Sequence, residues 1–351
     1  MQGLQKQVSL NAVNAAMATV RGLGAVLVLW LVAPTVQAFF VWQVTAGLLH
    51  TVVLAVALWR SLGGTASAEF SRTLLRSVWH FAAGMTAISV LSSILTQIDK
   101  IVVSGALSLE AFGYYAFAGT VAASLYRVIT PIFTAIFPRF SQLAARGAVQ
   151  ELAALYHKSA QALTVVIAPA AIFIALFSSE LLLLWTRDPS TVAKTHGILS
   201  VLILGTAVNG LLSIPYATLL AYGSTRVVVI MNVIAVLILI PGVFHLATRF
   251  GPRGAASAWL GYNLAIAVVL PLFLHTRLLR GELARWYLHD IGTPLLVAAA
   301  IGAVCRYLVP TGSGDVVSLL VRLTPIALLM QFGATIVVPD VRRRLRVWSP
   351  A

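Results

Sequence analysis

The sequence predicts an all-α, polytopic helical membrane protein with about ten transmembrane helices. Three observations predict it. The 351-residue chain is 60% hydrophobic and only 10% charged, whereas a soluble domain carries about 25% charged residues. Its apolar runs extend for about 20 residues or more, the length that crosses a bilayer as a helix, not the ~10-residue alternating strands of a barrel. Its Lys and Arg concentrate in alternate connections between those runs, the bias expected of cytoplasmic loops.

Ten apolar segments read as helices: 10–32, 36–59, 78–103, 110–138, 161–185, 196–222, 226–248, 254–276, 291–309 and 315–338. Gly63-Gly64 separates the second from the third. The third runs into a polar knot, Gln97-Ile98-Asp99-Lys100, and turns at Ser104-Gly105. The fourth carries Arg127 near its middle and closes on Phe137-Pro138-Arg139-Phe140. Asp188-Pro189 follows the fifth, Gly251-Pro252-Arg253-Gly254 divides the seventh from the eighth, and Thr311-Gly312-Ser313-Gly314 precedes the tenth. All are residues that break regular structure. With the N-terminus inside, the inner segments hold 15 cations and the outer loops 5, which supports an even number of spans and cytoplasmic termini. Trp30, Trp42, Trp59, Trp79 and Trp185 sit near span ends, as interfacial anchors do.

Composition excludes other classes. The net charge of +14 follows from loop cations and calls for no nucleic acid. The single cysteine, Cys305, excludes an internal disulfide and a CxxC site. There is no HExxH, GxSxG, P-loop or DxD-like pair, and the seven histidines are scattered without ligand spacing. No enzyme activity, catalytic residue, metal or cofactor is expected. Met1-Gln2-Gly3-Leu4 offers no signal-peptide n-region. A weak internal repeat pairs Gly3–Asn11 and Trp42 with Gly223–Asn232 and Trp259, consistent with two related lobes.

Charges deep in a bilayer cost several kcal/mol unless the protein interior uses them. Arg21 lies about 16 Å from either end of the first span, and Arg127 is similarly central. The bland alternative is that each pairs with a buried acid, but Asp99 and Glu180 are the deep carboxylates available, and both lie nearer span ends. Two central arginines therefore suit a cavity built for an anion such as a phosphate or pyrophosphate, which Arg grips through its planar fork. Asp99 is short and must face protein or water, a candidate coupling or gating carboxylate, while the adjacent Lys100 can snorkel. Asn14, Gln97, Tyr126 and Asn209 are the candidates to bind sugar hydroxyls. Ser92, Asn232, Asn263, Tyr216 and Tyr262 belong to the same polar set; singly, each is as well explained by helix–helix hydrogen bonding.

The stretch QIDKIVVSGALSLEAFGYYAFAGTVAASLYRVITPIFTAIFPRFSQLAARG resembles the polysaccharide (O-antigen type, Wzx-like) flippase family, of the same superfamily as the MATE multidrug exporters and the lipid II flippases. The resemblance rests on Gln97-Ile98-Asp99-Lys100, Gly113-Tyr114-Tyr115 and Phe137-Pro138-Arg139-Phe140-Ser141, with SSELLLLWTRD at 178–188 in support. It implies a two-lobe, MATE-like transporter fold working by alternating access. Residues 1–62 would be the last two helices of the N-terminal lobe, 63–280 a C-terminal lobe of six helices, and 281–351 two extra helices with a basic cytoplasmic tail. About four first-lobe helices are then missing from this chain, which departs from the family pattern.

The implied function is to flip a polyprenyl-pyrophosphate-linked oligosaccharide (undecaprenyl pyrophosphate as carrier) from the inner to the outer leaflet, for cell-surface polysaccharide biosynthesis. The expected location is the bacterial inner (cytoplasmic) membrane. Expected partners are membrane lipid, a polysaccharide polymerase and glycosyltransferases. Arg127 and Arg21 would neutralise the pyrophosphate, and Asp99 with Lys100 would couple or gate. A cation-coupled multidrug exporter and an inactive truncated fragment remain as alternatives. An exporter of cations should carry more intramembrane acid and less arginine than this chain does.

Overall fold

In the computed structural model, residues 7–62, 71–308 and 316–338 are described. The Gly63-Gly64 and Thr311–Gly314 breakers, Lys6 and the basic tail lie outside them. The described residues form helices only, and nine helical runs among them are long and apolar enough to cross a membrane. The chain divides into two compact units, 1–76 and 77–351.

The first unit is a helix pair, α1 (Gln7–Leu31) and α2 (Val36–Leu62), with the start of α3 (Arg72–Ala106). Its contact is set by a glycine. A methyl group on Gly24 would fall 2.0 Å from the Trp42 ring, so only glycine lets the indole lie against α1. Trp42 Nε1 then donates to the Arg21 carbonyl at 3.0 Å. Trp42 is thus a packing residue as much as an anchor. Trp30, Trp59, Trp79 and Trp185 are all more than 60% exposed, as residues facing a bilayer interface should be.

The second unit continues with α4 (Leu109–Ala123), α5 (Tyr126–Ala145), α6 (Val149–Leu176), α7 (Ser178–Thr186), α8 (Pro189–Leu211) and α9 (Ser213–Ala221). Then come α10 (Thr225–Arg277), the single turn α11 (Leu283–Arg285), a π-helical segment (Trp286–Gly292), α12 (Thr293–Leu308) and α13 (Val316–Ile336). The core centres on α6 and α8, whose inner faces carry Leu163, Ile167, Ile198 and Ile203, each at most 2% exposed. The α6 helix starts at Val149, not near 161 as hydropathy suggested: its first turns mix Glu151, His157 and Lys158 with buried Leu152 and Tyr156. Charged residues hid a helix that tertiary packing completes.

The Asp188-Pro189 breaker acts as expected, and the residue before it ends the preceding helix. Arg187 takes a left-handed conformation (φ 54°) and stops α7. Asp188 caps α8 with Pro189 in its first turn, accepting from the Ser190 and Thr191 amides at 3.0 and 3.1 Å. The Thr191 hydroxyl, then the hydroxyl and amide of Ser190, hold the Asp188 carboxyl down to about 2.

The Gly251–Gly254 break is tighter than a loop. Only Gly251 leaves helical geometry (φ 65°, ψ −153°), and α10 bends there into two arms. Residues equally far from the bend, Asn232 and Leu270, line the same cavity, so the arms return side by side and the 53-residue run supplies two spans. A methyl on Gly254 would sit 1.9 Å from the Leu246 carbonyl oxygen, so this corner accepts only glycine. Counting each arm, the nine runs become the ten spans expected.

Candidate functional site

A cavity of about 440 Å³ opens inside the second unit, within the range of small-molecule sites. Three helices present it with stripes at helical spacing. The α5 helix contributes Tyr126, Ile129, Thr130 and Phe133; Asn209 of α8, with Leu212, Ser213 and Tyr216, continues the pattern into α9; the second arm of α10 contributes Trp259, Tyr262 and Ile266. Positions i, i+3, i+4 and i+7 share one face of a helix. The lining is therefore a product of periodicity: each helix turns one mixed polar–aromatic face inward.

The polar atoms are chained. Tyr126 donates its hydroxyl to Asn209 Oδ1 at 2.8 Å. Asn209 Nδ2 donates to Asn263 Oδ1 at 2.8 Å, and Asn263 Nδ2 donates to the Trp259 carbonyl at 2.8 Å. Asn263 is fully buried and so holds Asn209 from behind, leaving the tyrosine end toward the cavity. Across it, Asn232 Nδ2 reaches Ser92 Oγ at 3.4 Å, and the Ser213 hydroxyl oxygen is buried without a partner. Trp259 is seated by Gly205, where a methyl would come 2.7 Å from the indole. A wall of amides, hydroxyls and aromatic faces, without a formal charge, suits a polyhydroxylated ligand: hydroxyls bond amides and sugar faces stack on rings.

A smaller pocket of about 70 Å³ adjoins it, sharing Leu95, Tyr126 and Trp259 and adding Asp99, Lys100 and Thr206. Tyr115, fully buried, donates to Asp99 Oδ2 at 2.7 Å, and the other Asp99 oxygen is buried without a partner. Leu95 and Asp99, four residues apart on α3, bring this carboxylate onto the cavity's face. Lys100 points elsewhere on the helix and donates to Gln97 Oε1 at 3.2 Å.

The structure thus brings Tyr126, Asn209, Asp99 and Lys100 to adjoining pockets. Gln97 is exposed and meets them only through Lys100. Arg127 is exposed and lines neither pocket. Consecutive helical residues point about 100° apart; here Tyr126 lines the cavity and Arg127 does not. Arg21 and Asn14 belong to the first unit: Arg21 Nε bonds Gln43 Oε1, and Asn14 Oδ1 lies 3.1 Å from His50 Nε2. Among the described residues no carboxylate pairs with Arg21 or Arg127. Glu180, by contrast, is explained: it pairs with Arg306 and ties α7 to α12. From the sequence alone, Asn263 stands out only within the polar set and Trp259 only within the repeat, and Ser213 not at all. The signal was present as the Trp259–Tyr262–Asn263–Ile266 and Asn209–Ser213–Tyr216 spacings, which singled-out charges overshadowed.

With this geometry, the comparisons are specific. The family model "Polysaccharide biosynthesis protein" matches residues 4–186, over half of the chain. The chain belongs to this polysaccharide biosynthesis family. A curated Shigella flexneri protein named "Putative O-antigen transporter" is 22% identical over 210 residues, 60% of this chain. The chain spans about half the length of that relative, 49%. Among solved structures, "Lipid II flippase MurJ, inward closed conformation" superposes with a TM-score of 0.65 at 15% identity, over 94% of this chain and 68% of that one. The polysaccharide biosynthesis family member described here therefore has the fold of a polytopic flippase, and it is a multi-pass membrane protein.

Proposed function

We propose that the chain forms part of a transporter that flips a polyprenyl-pyrophosphate-linked oligosaccharide across the bacterial inner membrane by alternating access. The observation that carries the reading is the uncharged, amide- and aromatic-lined cavity at membrane depth. A soluble protein needs no such interior, and a cation exporter would line it with acid. Family membership, the similarity to an O-antigen transporter over half its length, and the flippase-like fold support the same reading. The α1–α2 pair is the end of a first lobe, and the helices from α3 to α10 form the second.

Within this proposal Tyr126 and Asn209 bind glycan hydroxyls. Asp99, with one oxygen unpartnered beside the cavity, is the coupling or gating group, with Lys100 and Gln97 adjoining it. Arg127 and Arg21 neutralise the pyrophosphate, supported by their exposure on membrane-level helices without acid partners; Asn14 lies on the same helix as Arg21. Both termini are cytoplasmic, a topology that the 15-to-5 distribution of cations supports.

The test is a deletion strain in which membrane-extracted undecaprenyl-pyrophosphate glycans are quantified. Accumulation reversed by wild type, and not by Asn209→Leu at equal membrane abundance, is the expected result. No accumulation, together with new sensitivity to cationic drugs, would move the protein to the exporter class.

A further inference from the structure

A second polar pocket, of about 680 Å³, lies at the corner where α6 meets the connection from α10 to α12. Lys158, Arg280, Arg285, His289 and Glu282 line it, with His157 at its floor. None of these residues takes part in the central cavity.

The floor is built rather than incidental. His157, Gln161 and Asp290 are 2%, 7% and 0% exposed. His157 Nδ1 bonds Asp290 Oδ2, and its Nε2 lies 3.0 Å from Glu282 Oε2. Gln161 Nε2 donates to the second Asp290 oxygen at 2.8 Å. Both imidazole nitrogens face carboxylate oxygens, and both can donate only in the imidazolium form. His157 therefore bridges the Asp290 and Glu282 carboxylates. The π-helical segment makes it possible: its wide turn carries Asp290 inward, while the Thr293 hydroxyl takes up the Leu288 carbonyl at 2.7 Å. Such segments recur at functional sites.

Above this floor the charges do not balance. Lys158, Arg280 and Arg285 are exposed around the opening, while the pocket's acids are committed to His157. Glu282 comes no nearer to Arg285 than 3.9 Å, and among the described residues Lys158 and Arg280 have no carboxylate partner. Loop cations alone follow from membrane topology. A closed polar floor that engages the local acids beneath two unpaired cations, with Arg285 held only at 3.9 Å from Glu282, does not.

We propose that this corner pocket binds the phosphate group of an anionic ligand, gripped by Lys158, Arg280 and Arg285. Guanidinium forks and an ammonium group match phosphate oxygens, and the 278–282 connection sits between membrane spans, at the level where lipid phosphates lie. The inference stands whatever the central cavity carries.

The full chain in phosphatidylcholine nanodiscs tests it with two probes. Inorganic pyrophosphate binding is measured by calorimetry, and retention of short-chain phosphatidylglycerol by native mass spectrometry. The expected result is that Lys158→Ala/Arg280→Ala weakens at least one of them 10-fold or more. Arg146→Ala/Arg249→Ala, which removes two exposed cations elsewhere, should leave it unchanged. Retention of phosphatidylglycerol alone assigns a lipid headgroup, and pyrophosphate binding assigns a soluble or detachable phosphate; either supports the site. Binding of neither probe, or equal losses in the two double variants, overturns it. The substituted side chains are solvent-facing, so an unchanged thermal midpoint confirms that folding is intact.

Discussion

Two polar networks inside one helical unit use opposite chemistry. The central cavity is wired by neutral groups: Tyr126 to Asn209 to Asn263 to the Trp259 carbonyl, each link 2.8 Å. The α6 corner is wired by charge: Asp290, His157 and Glu282. A neutral network is cheap to rearrange, since each hydrogen bond is worth about 0.5–1.5 kcal/mol net and water or a ligand hydroxyl can replace a partner. A buried ionic one is not, because removing either member strands a charge in low dielectric. The comparison teaches where this fold can move. The cavity wall can exchange partners as a ligand enters; the corner holds α6 against the π-helical segment throughout.

The largest effect should come from the corner. His157→Ala leaves the fully buried Asp290 carboxylate without its imidazole partner, with an expected cost of about 3–5 kcal/mol if that carboxylate stays ionised. Thermal unfolding of the purified protein in detergent would show it as a large drop in midpoint. If His157→Ala proves no worse than Asn263→Ala, the contrast between ionic and neutral wiring fails.

The cavity predictions are smaller in stability and larger in transport. Asn263→Leu removes the acceptor for the Asn209 amide and strands a buried donor, for about 1–3 kcal/mol. The protein should still fold, yet lipid-linked glycan should accumulate because Asn209 loses its orientation. Restoring transport with Asn263→Asp, which keeps an acceptor for Asn209 and, when protonated, a donor for the Trp259 carbonyl, would assign a positioning role.

Tyr126→Phe and Arg127→Ala form a closer comparison, since they are neighbours on α5 facing different ways. Tyr126→Phe deletes one cavity hydrogen bond and should reduce transport several-fold with little change in stability. If the cavity is the whole site, Arg127→Ala should be near neutral. A loss in Arg127→Ala exceeding that in Tyr126→Phe would show that charge neutralisation takes place on the exposed face of α5, as proposed for the pyrophosphate.

Much of the fold was legible in the sequence because membrane spans are a one-dimensional property: length and hydropathy give ten segments, and Asp188-Pro189 and Gly251 punctuate where they should. The exceptions are physical. The first turns of α6 carry charges that hydropathy reads as loop, although half-buried Glu282 and buried Asp290 satisfy His157; such pairing across about 130 residues leaves no local trace. The site was legible by residue type and less so by direction. Tyr126, Asn209 and Asp99 face the adjoining pockets, whereas Arg127, the next residue along α5, lies outside both. The two repeat tryptophans also diverge in use, Trp42 seated by Gly24 of its own helix pair and Trp259 by Gly205 of α8.

The smallest effect supplies the baseline for both networks. Asp188 caps α8 away from either site, in an exposed turn, with its carboxyl held at about 2 against an ordinary 3.8. A depressed carboxylate contributes stability that is fully present above its unfolded value and is lost as pH falls through the folded value. The midpoint difference between wild type and Asp188→Ala should therefore be small and constant from about pH 7 to 5, shrink below about pH 4, and vanish only below about pH 2. Over the upper part of that range the cap is silent, so any pH-dependent change in the wild-type midpoint must arise elsewhere.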